Sequence, residues 1–251
     1  MIQPTAELLL ENPNEWGLFL DVDGTLVDVA ATPEGISVPP DLAPLLGRLA
    51  EALDGAAAII TGRRISDIDR YLAPLKLVAA GGHGSELRTV PNGEIRVVSE
   101  PIPPDVVEAV KDLTRLSPGI IVEPKGSSLT VHYRADPSAG QAIESALSRI
   151  IDHGPDHLIL CPGRKVFEVV PIDISKGTAL ERLVQLPAFR SRRPIMIGDD
   201  VADESAIEAA TRLGGLGLKV AGEHFAKETA DFEGPAHVRA WLRDLAERAG
   251  R

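Results

Sequence analysis

A single cysteine, Cys161, is all that 251 residues offer, which rules out an internal disulfide and any zinc cage built on thiolates. It sits in HLILCP and reads as a small buried hydrophobe rather than a nucleophile. Long apolar runs are missing too. Leu8–Leu10, Ala56–Ile60 and Leu158–Cys161 fall far short of the roughly 20 residues of a membrane-spanning helix. The opening MIQPTAELLLEN has no basic stretch, and its apolar stretch is too short for a secretion signal. A cytoplasmic location with no membrane partner is therefore expected. Positive charge is scarce: 26 Lys and Arg stand against 37 Asp and Glu, a net charge of −11. Nucleic-acid binding requires a basic face, so no nucleic-acid partner is expected either. The chain has no internal repeat and no low-complexity tract. What remains, 44% hydrophobic and 25% charged, is the composition of a globular protein with one large or two modest domains.

Residues 18–27, LFLDVDGTLV, read as a buried strand ending in two aspartates, Asp21 and Asp23, ahead of a Gly24–Thr25 turn. In a parallel sheet the C-terminal ends of strands open into the ligand crevice. Strand side chains alternate with a period of two, so both carboxylates are expected to point the same way. Two carboxylates placed together repel unless they share a cation, and a hard divalent ion with oxygen ligands, most simply Mg²⁺, suits them.

Residues 41–54 follow as an amphipathic helix through Leu42, Leu45, Leu46, Leu49 and Leu53, with Asp41 as its cap. AAAIITGR is a buried strand running into a polar turn, 65–72 a short helix, and KLVAAGGHG (76–84) a strand ending in glycines. The alternation resumes with a helix at 175–186, the strand PIMIGDD (194–200), a helix from Asp203 to about Leu213, GGLGLKVA as strand and turn, and a closing helix at 236–249. Between the proline-rich joints EPIPPD (100–105) and PID (171–173) the order changes. There we read helix 104–116, strands 119–124 and 128–134, helix 137–151, and strands 157–161 and 165–170. The expected fold class is α/β: a doubly wound, Rossmann-like parallel-sheet core with an inserted, smaller α+β cap domain of order αββαββ. The core takes residues 1–100 and 173–251, the cap 101–172.

Within the cap, Leu129, Val131 and Tyr133 alternate onto one strand face, the face expected to pack on the helices. Thr130, His132 and Arg134 take the other, with Glu123 and Lys125 beside them. Such a face is either solvated and salt-bridged or it hydrogen-bonds a polar substrate. Trp16 and Trp241 read as packing, and Arg190, Arg192 and Arg193 as a solvated basic loop.

Four strand or helix ends carry reactive groups: Asp21 with Asp23, Thr61, Lys176, and Asp199, Asp200 and Asp203. A carboxylate nucleophile, carboxylates for a metal, a fixed ammonium and a hydroxyl with free amides are what phosphoryl transfer asks for. With DVDGTL, TGR, SKG and GDDVADE in this order, the chain resembles the haloacid dehalogenase superfamily of aspartate-nucleophile phosphohydrolases. GGHGSE (81–86), VEPKGSSLTVHYR (122–134) and GRKVFEVVP (163–171) make it most similar to the trehalose-6-phosphate phosphatase family, over about residues 17–205.

That resemblance implies a phosphatase hydrolysing trehalose 6-phosphate to trehalose and phosphate through an aspartyl-phosphate. It implies Asp21 as nucleophile, Asp23 as general acid and base, Thr61 and the Gly62 amide on the phosphoryl oxygens, and Lys176 bridging Asp21 to the phosphate. Mg²⁺ would be held by Asp21, the Asp23 carbonyl and Asp199, with Asp200 and Asp203 orienting its waters. Glu123, Lys125, Arg134, Arg164 and Glu168 would hydrogen-bond the sugar as a mobile cap closes, and Gly82 and His83 would line the crevice from the core side. Thr61 stands where the family often has serine, Ala202 where it has threonine, and Pro124 where it has a more polar residue. The implied protein is a monomer whose partner is a small phosphosugar, and 251 residues leave no room for a glucosyltransferase domain. Phosphatases of sucrose phosphate or of mannosyl- or glucosyl-glycerate or glycerol phosphates stay open as alternatives, as do a phosphoglucomutase and a catalytically silent sensor.

Overall fold

The computed structural model describes residues 11–30, 35–163 and 165–249. They divide into two units, one running to Arg96 and resuming at Ser175, the other Val97–Ile174. The first opens with β1 (Trp16–Leu20), α1 (Leu42–Ala52), β2 (Ala57–Ile60), α2 (Ile65–Tyr71), β3 (Val78–Gly81), β4 (Glu86–Arg88) and β5 (Arg96–Val97). The second consists of α3 (Pro104–Lys111), β6 (Ile121–Pro124), β7 (Leu129–His132), α4 (Gly140–Asp152), β8 (Leu158–Gly163) and β9 (Val166–Pro171). The chain then returns with α5 (Lys176–Leu183), β10 (Arg193–Gly198), α6 (Val201–Arg212), β11 (Leu216–Lys219) and α7 (Pro235–Ala249). Among the described residues no helix is long and apolar enough to cross a membrane.

The seven strands of the first unit run in the order β11-β10-β1-β2-β3-β4-β5. From β11 to β3 all pairings are parallel, and β4 joins β3 antiparallel. β1, β2 and β3 are buried along their whole length, as unbroken apolar strands must be when helices cover both faces of a sheet. The leucines at 42, 45, 46 and 49 do sit on the buried stripe of α1. Successive strands step from β1 through β2 to β3 on one side, while β10 and β11 lie on the other. The order therefore reverses between β1 and β10, and the loops leaving their C-terminal ends diverge around a crevice. Asp21 follows β1 and Asp199 follows β10.

β4 and β5 were not expected from the sequence, since three and two residues are too few to show a period. β4 is fixed by Arg88, whose side chain is almost wholly buried. Its Nε donates to the Leu77 carbonyl at 2.7 Å, and Nη1 to both Asp69 oxygens at 2.7 and 2.8 Å. Arg88→Ala would strand the Asp69 charge and the Leu77 carbonyl, so it should cost about 3–5 kcal/mol, read as a lower urea midpoint at constant slope. A change under about 1 kcal/mol would mean that Asp69 hydrates freely.

In the basic run before β10, Arg190 and Arg193 are exposed as expected, but Arg192 is not solvated. The Arg192 side chain is 8% exposed and donates from Nη1 to the carbonyls of Pro13, Trp16 and Leu53, while the Arg193 guanidinium lies 4.0 Å from the Trp16 ring centroid. Pro13 and Trp16 flank the turn that leads into β1 and Leu53 closes α1, so one guanidinium ties two chain segments together through three carbonyls.

The second unit is an antiparallel sheet of order β6-β7-β9-β8 with α3 and α4 on one face. Leu129, Val131, Phe167 and Val169 meet Val106, Val110, Ile143 and Leu147 there, with Tyr133 partly buried against them. On the opposite face Glu123, Thr130, Glu168 and Cys161 stand in one row across the four strands. β7 is shorter than the sequence suggested. Pairing stops at His132, and Arg134 falls in the turn beyond it, off the strand face.

Candidate active site

β1 ends at Leu20, so Asp21 and Asp23 belong to the loop, and strand alternation does not align them as expected. They diverge. Asp21 is 3% exposed and its Oδ1 accepts a hydrogen bond from Lys176 Nζ at 2.7 Å. Lys176 opens α5 just after its N-cap, Ser175, whose hydroxyl accepts from the Thr178 amide while the Thr178 hydroxyl accepts from the Ser175 amide. SKG is thus a helix start, and that start aims the ammonium. The same Nζ donates to Asp203 Oδ1 at 2.7 Å.

Asp203 in turn accepts, through Oδ2, the amides of Asp199 at 3.2 Å and Asp200 at 3.1 Å. Its carboxylate is spent on holding this loop and Lys176 in place. Asp200 is the N-cap of α6, with Oδ1 on the Val201 amide at 2.7 Å, and lies outside the acidic cluster. Asp199 Oδ1 accepts from the Thr25 hydroxyl at 3.2 Å. Gly24 permits this approach: a β-carbon there would stand 2.0 Å from Asp199 Oδ2, and φ of +83° is disfavoured for any other residue.

Asp21, Asp199 and Asp203 each offer an oxygen within 4.8 Å of the others, all buried, against one ammonium. Burial, then the Asp203 charge, raises Asp21 well above the usual carboxylate range despite Lys176. The same causes push Asp199 up to about 7. Burial alone would depress Lys176, but Asp203 and Asp21 overcome it and hold the amine above the ordinary lysine value. Lys176 is charged, and the carboxylates around it have more negative charge than it can neutralise. Hard oxygen donors with surplus negative charge fit a divalent cation, and Asp21 and Asp199 are the two whose oxygens are not both committed.

The loops leaving β2 and β3 are laced together. The His83 amide donates to the Thr61 carbonyl at 3.0 Å and the Gly82 amide to the Arg63 carbonyl at 2.8 Å. Thr61 is buried, and its hydroxyl accepts the Arg63 amide at 3.2 Å. The His83 ring lies over Gly62, where a β-carbon would come within 2.5 Å of it. Thr61, Gly62, Gly82 and His83 therefore form one connected wall. Asp23 faces Arg63, which the sequence reading passed over although it completes TGR.

On the polar face of the second unit, Thr130 Oγ1 donates to Glu168 Oε1 at 2.9 Å and His132 Nε2 meets Glu123 Oε2 at 3.1 Å. Lys125 lies 3.9 Å from Glu123 and 3.8 Å from Glu168, one ammonium between two carboxylates. Burial, then the Glu168 charge, raises the Cys161 thiol, so it is poorly suited to be a nucleophile. Arg164 lies outside the described residues.

The chain as a whole has counterparts among known proteins. A family model described as trehalose-phosphatase matches residues 19–237. The probable trehalose-phosphate phosphatase of Sinorhizobium fredii is 36% identical over 209 residues, covering 82% of this chain and 78% of that protein. The trehalose-6-phosphate phosphatase of Escherichia coli is 33% identical over 242 residues, covering 94% and 90%. The C-terminal domain of the Candida albicans trehalose-6-phosphate phosphatase superposes with a TM-score of 0.79 at 22% identity, over 98% of this chain and 96% of that one, and shares the fold. On the family match and these identities, the chain is a member of the trehalose-phosphatase family.

Proposed function

We propose that the protein hydrolyses trehalose 6-phosphate to trehalose and inorganic phosphate through a covalent aspartyl-phosphate. The observation that carries this reading is the buried Asp21–Lys176 contact at 2.7 Å, inside a cluster with more carboxylates than ammonium. Lys176 occupies Asp21 Oδ1, leaving Oδ2 to attack phosphorus. As that O–P bond forms, the bond from phosphorus to the sugar oxygen breaks, and Asp23 gives that oxygen a proton. Asp23 then takes a proton from water, whose oxygen attacks phosphorus and frees both phosphate and the Asp21 carboxylate. Thr61 and the Gly62 amide hold the phosphoryl oxygens, with Gly82 and His83 behind them. Asp21, Asp199 and the Asp23 carbonyl, with Asp200 nearby, would hold Mg²⁺, which would supply charge neutralisation for the carboxylates and the phosphoryl group. Glu123, Lys125, Arg134, Arg164 and Glu168 read the sugar hydroxyls, and the enzyme acts in the cytoplasm as a monomer.

Phosphate release from a panel of sugar phosphates tests the substrate: trehalose 6-phosphate should exceed the other esters in kcat/KM, and equal rates on all of them would refute the choice. Glu123→Ala and Glu168→Ala should raise KM for the disaccharide phosphate about 10- to 100-fold while barely changing turnover of 4-nitrophenyl phosphate. Equal losses on both esters would remove the sugar-reading role.

Chelation should stop turnover and added Mg²⁺ restore it. Stability carries the same signature. In the chelated protein Asp199 holds a proton up to about pH 7, whereas in the unfolded chain it releases it near 3.8. Between those values the native state binds more protons, so stability falls as pH rises from about 4 to about 7. The gain in Tm on adding Mg²⁺ should then be larger at pH 8 than at pH 5; an equal gain at both would disconnect the cation from these carboxylates.

A further inference from the structure

Arg63, the last residue of TGR, has no part in the chemistry above, yet its side chain closes on Asp23. Nε donates to Asp23 Oδ2 at 2.6 Å and Nη2 to Oδ1 at 2.7 Å, a planar fork engaging both carboxylate oxygens. The fork is itself held. Nη1 donates to the Tyr71 hydroxyl at 3.3 Å, and the guanidinium carbon lies 5.3 Å from the Tyr71 ring centroid. Its backbone is pinned on both sides, by the Thr61 hydroxyl on the amide and by the Gly82 amide on the carbonyl.

Asp23 needs such a partner because it lies past the end of β1, where a single bridge to Val27 fixes its backbone but not the direction of its carboxylate. A carboxylate in a loop otherwise samples several rotamers, and proton transfer requires one of them, within hydrogen-bond reach of the ester oxygen. Two parallel N–H bonds select a single orientation. They leave each oxygen a further lone pair, and 31% of the Asp23 side chain stays open against 15% of Arg63. A lysine would supply the charge without the fork and so would not fix the plane of the carboxylate.

We infer that Arg63, backed by Tyr71, is the positioning residue that fixes the Asp23 carboxylate for proton exchange with the leaving sugar oxygen. The inference rests on the role proposed for Asp23, and its test separates the two. A sugar oxygen leaves only if protonated, whereas 4-nitrophenolate leaves as a stable anion. Arg63→Ala and Arg63→Lys should therefore lower kcat/KM on trehalose 6-phosphate by about 100-fold, the size expected of a misplaced catalytic group. On 4-nitrophenyl phosphate kcat/KM, which reports attack by Asp21 and not the later hydrolysis common to both esters, should stay within about threefold, because protonation contributes little there. In an Asp23→Asn background Arg63→Ala should cause no further loss, since nothing remains to be positioned.

Tyr71→Phe, which keeps the ring beside Arg63 and removes a hydroxyl that accepts from Arg63 and from the exposed Arg70, should show the same leaving-group dependence at smaller amplitude, and it carries the test if Arg63→Ala does not fold. Equal losses of kcat/KM on both esters, additive losses in the double variant, or a higher kcat/KM would each overturn the inference. An Asp23→Asn variant with kcat/KM equally impaired on both esters would instead overturn the general-acid role of Asp23. A wild-type enzyme inert toward trehalose 6-phosphate would overturn the substrate, and the same ratio would then be read on whichever sugar phosphate it cleaves.

Discussion

Asp21→Asn is expected to reduce kcat by on the order of 10⁴-fold or more, the scale of loss when a covalent nucleophile is removed. The amide is nearly isosteric and still accepts a hydrogen bond from Lys176, so binding and fold should persist. Stability should not fall. Asp21 is one of three buried carboxylates around one ammonium, and burial together with Asp203 already opposes its charge. Neutralising it leaves Lys176 its second partner, Asp203 Oδ1, at 2.7 Å. Phosphate release and a thermal melt on one preparation check both halves. Residual turnover within about tenfold of wild type would remove the covalent route.

Lys176→Met removes the other end of the same 2.7 Å contact and should act in the opposite direction on stability. Two nearly buried carboxylates lose their ammonium, and breaking a buried pair in this way costs about 3–5 kcal/mol. Turnover should fall about 1000-fold with the loss of a fixed charge at the transferring group. Urea unfolding in chelator should show the full destabilisation, and saturating Mg²⁺ should recover part of it by replacing the missing positive charge. Losses under about 1 kcal/mol in chelator would mean that the aspartates simply protonate. The contrast between the two variants is the sharper result, because a contact that merely added its own energy would lose the same amount from either side.

The core fold was legible because its signals are local and strong. WGLFL, AAII and VAAG are unbroken buried strands, and α1 shows its leucines at helical spacing. The cap's two faces were legible for the same reason, since Leu129 and Val131 alternate with Thr130 and His132. Short elements escaped: β5 is two exposed residues, and β4 is held by the Arg88–Asp69 pair across 19 residues, which no local period encodes. Arg192 was misread because a guanidinium that collects three distant carbonyls looks the same in sequence as one in water. At the site, motifs named the residues but not their partners. Asp21 and Asp23 were expected to point alike, yet the strand ends one residue before the first of them. Asp200 and Asp203 looked interchangeable in GDDVADE, and only helix geometry sends one to a cap and the other to Lys176.

The bond from Thr25 to Asp199 spans 174 residues, and the strand that brings Asp199 there is inserted beside β1, which precedes it in synthesis by most of the chain. A growing chain thus exposes Trp16–Leu20 as an unpaired apolar edge until residues 193–198 emerge, after the entire cap has been synthesised. Contacts so distant in sequence close slowly. Catalytic competence accordingly waits for residues 193–203, and any fragment ending before residue 193 carries the reactive carboxylate without its counterpart and with a bare flank open to aggregation.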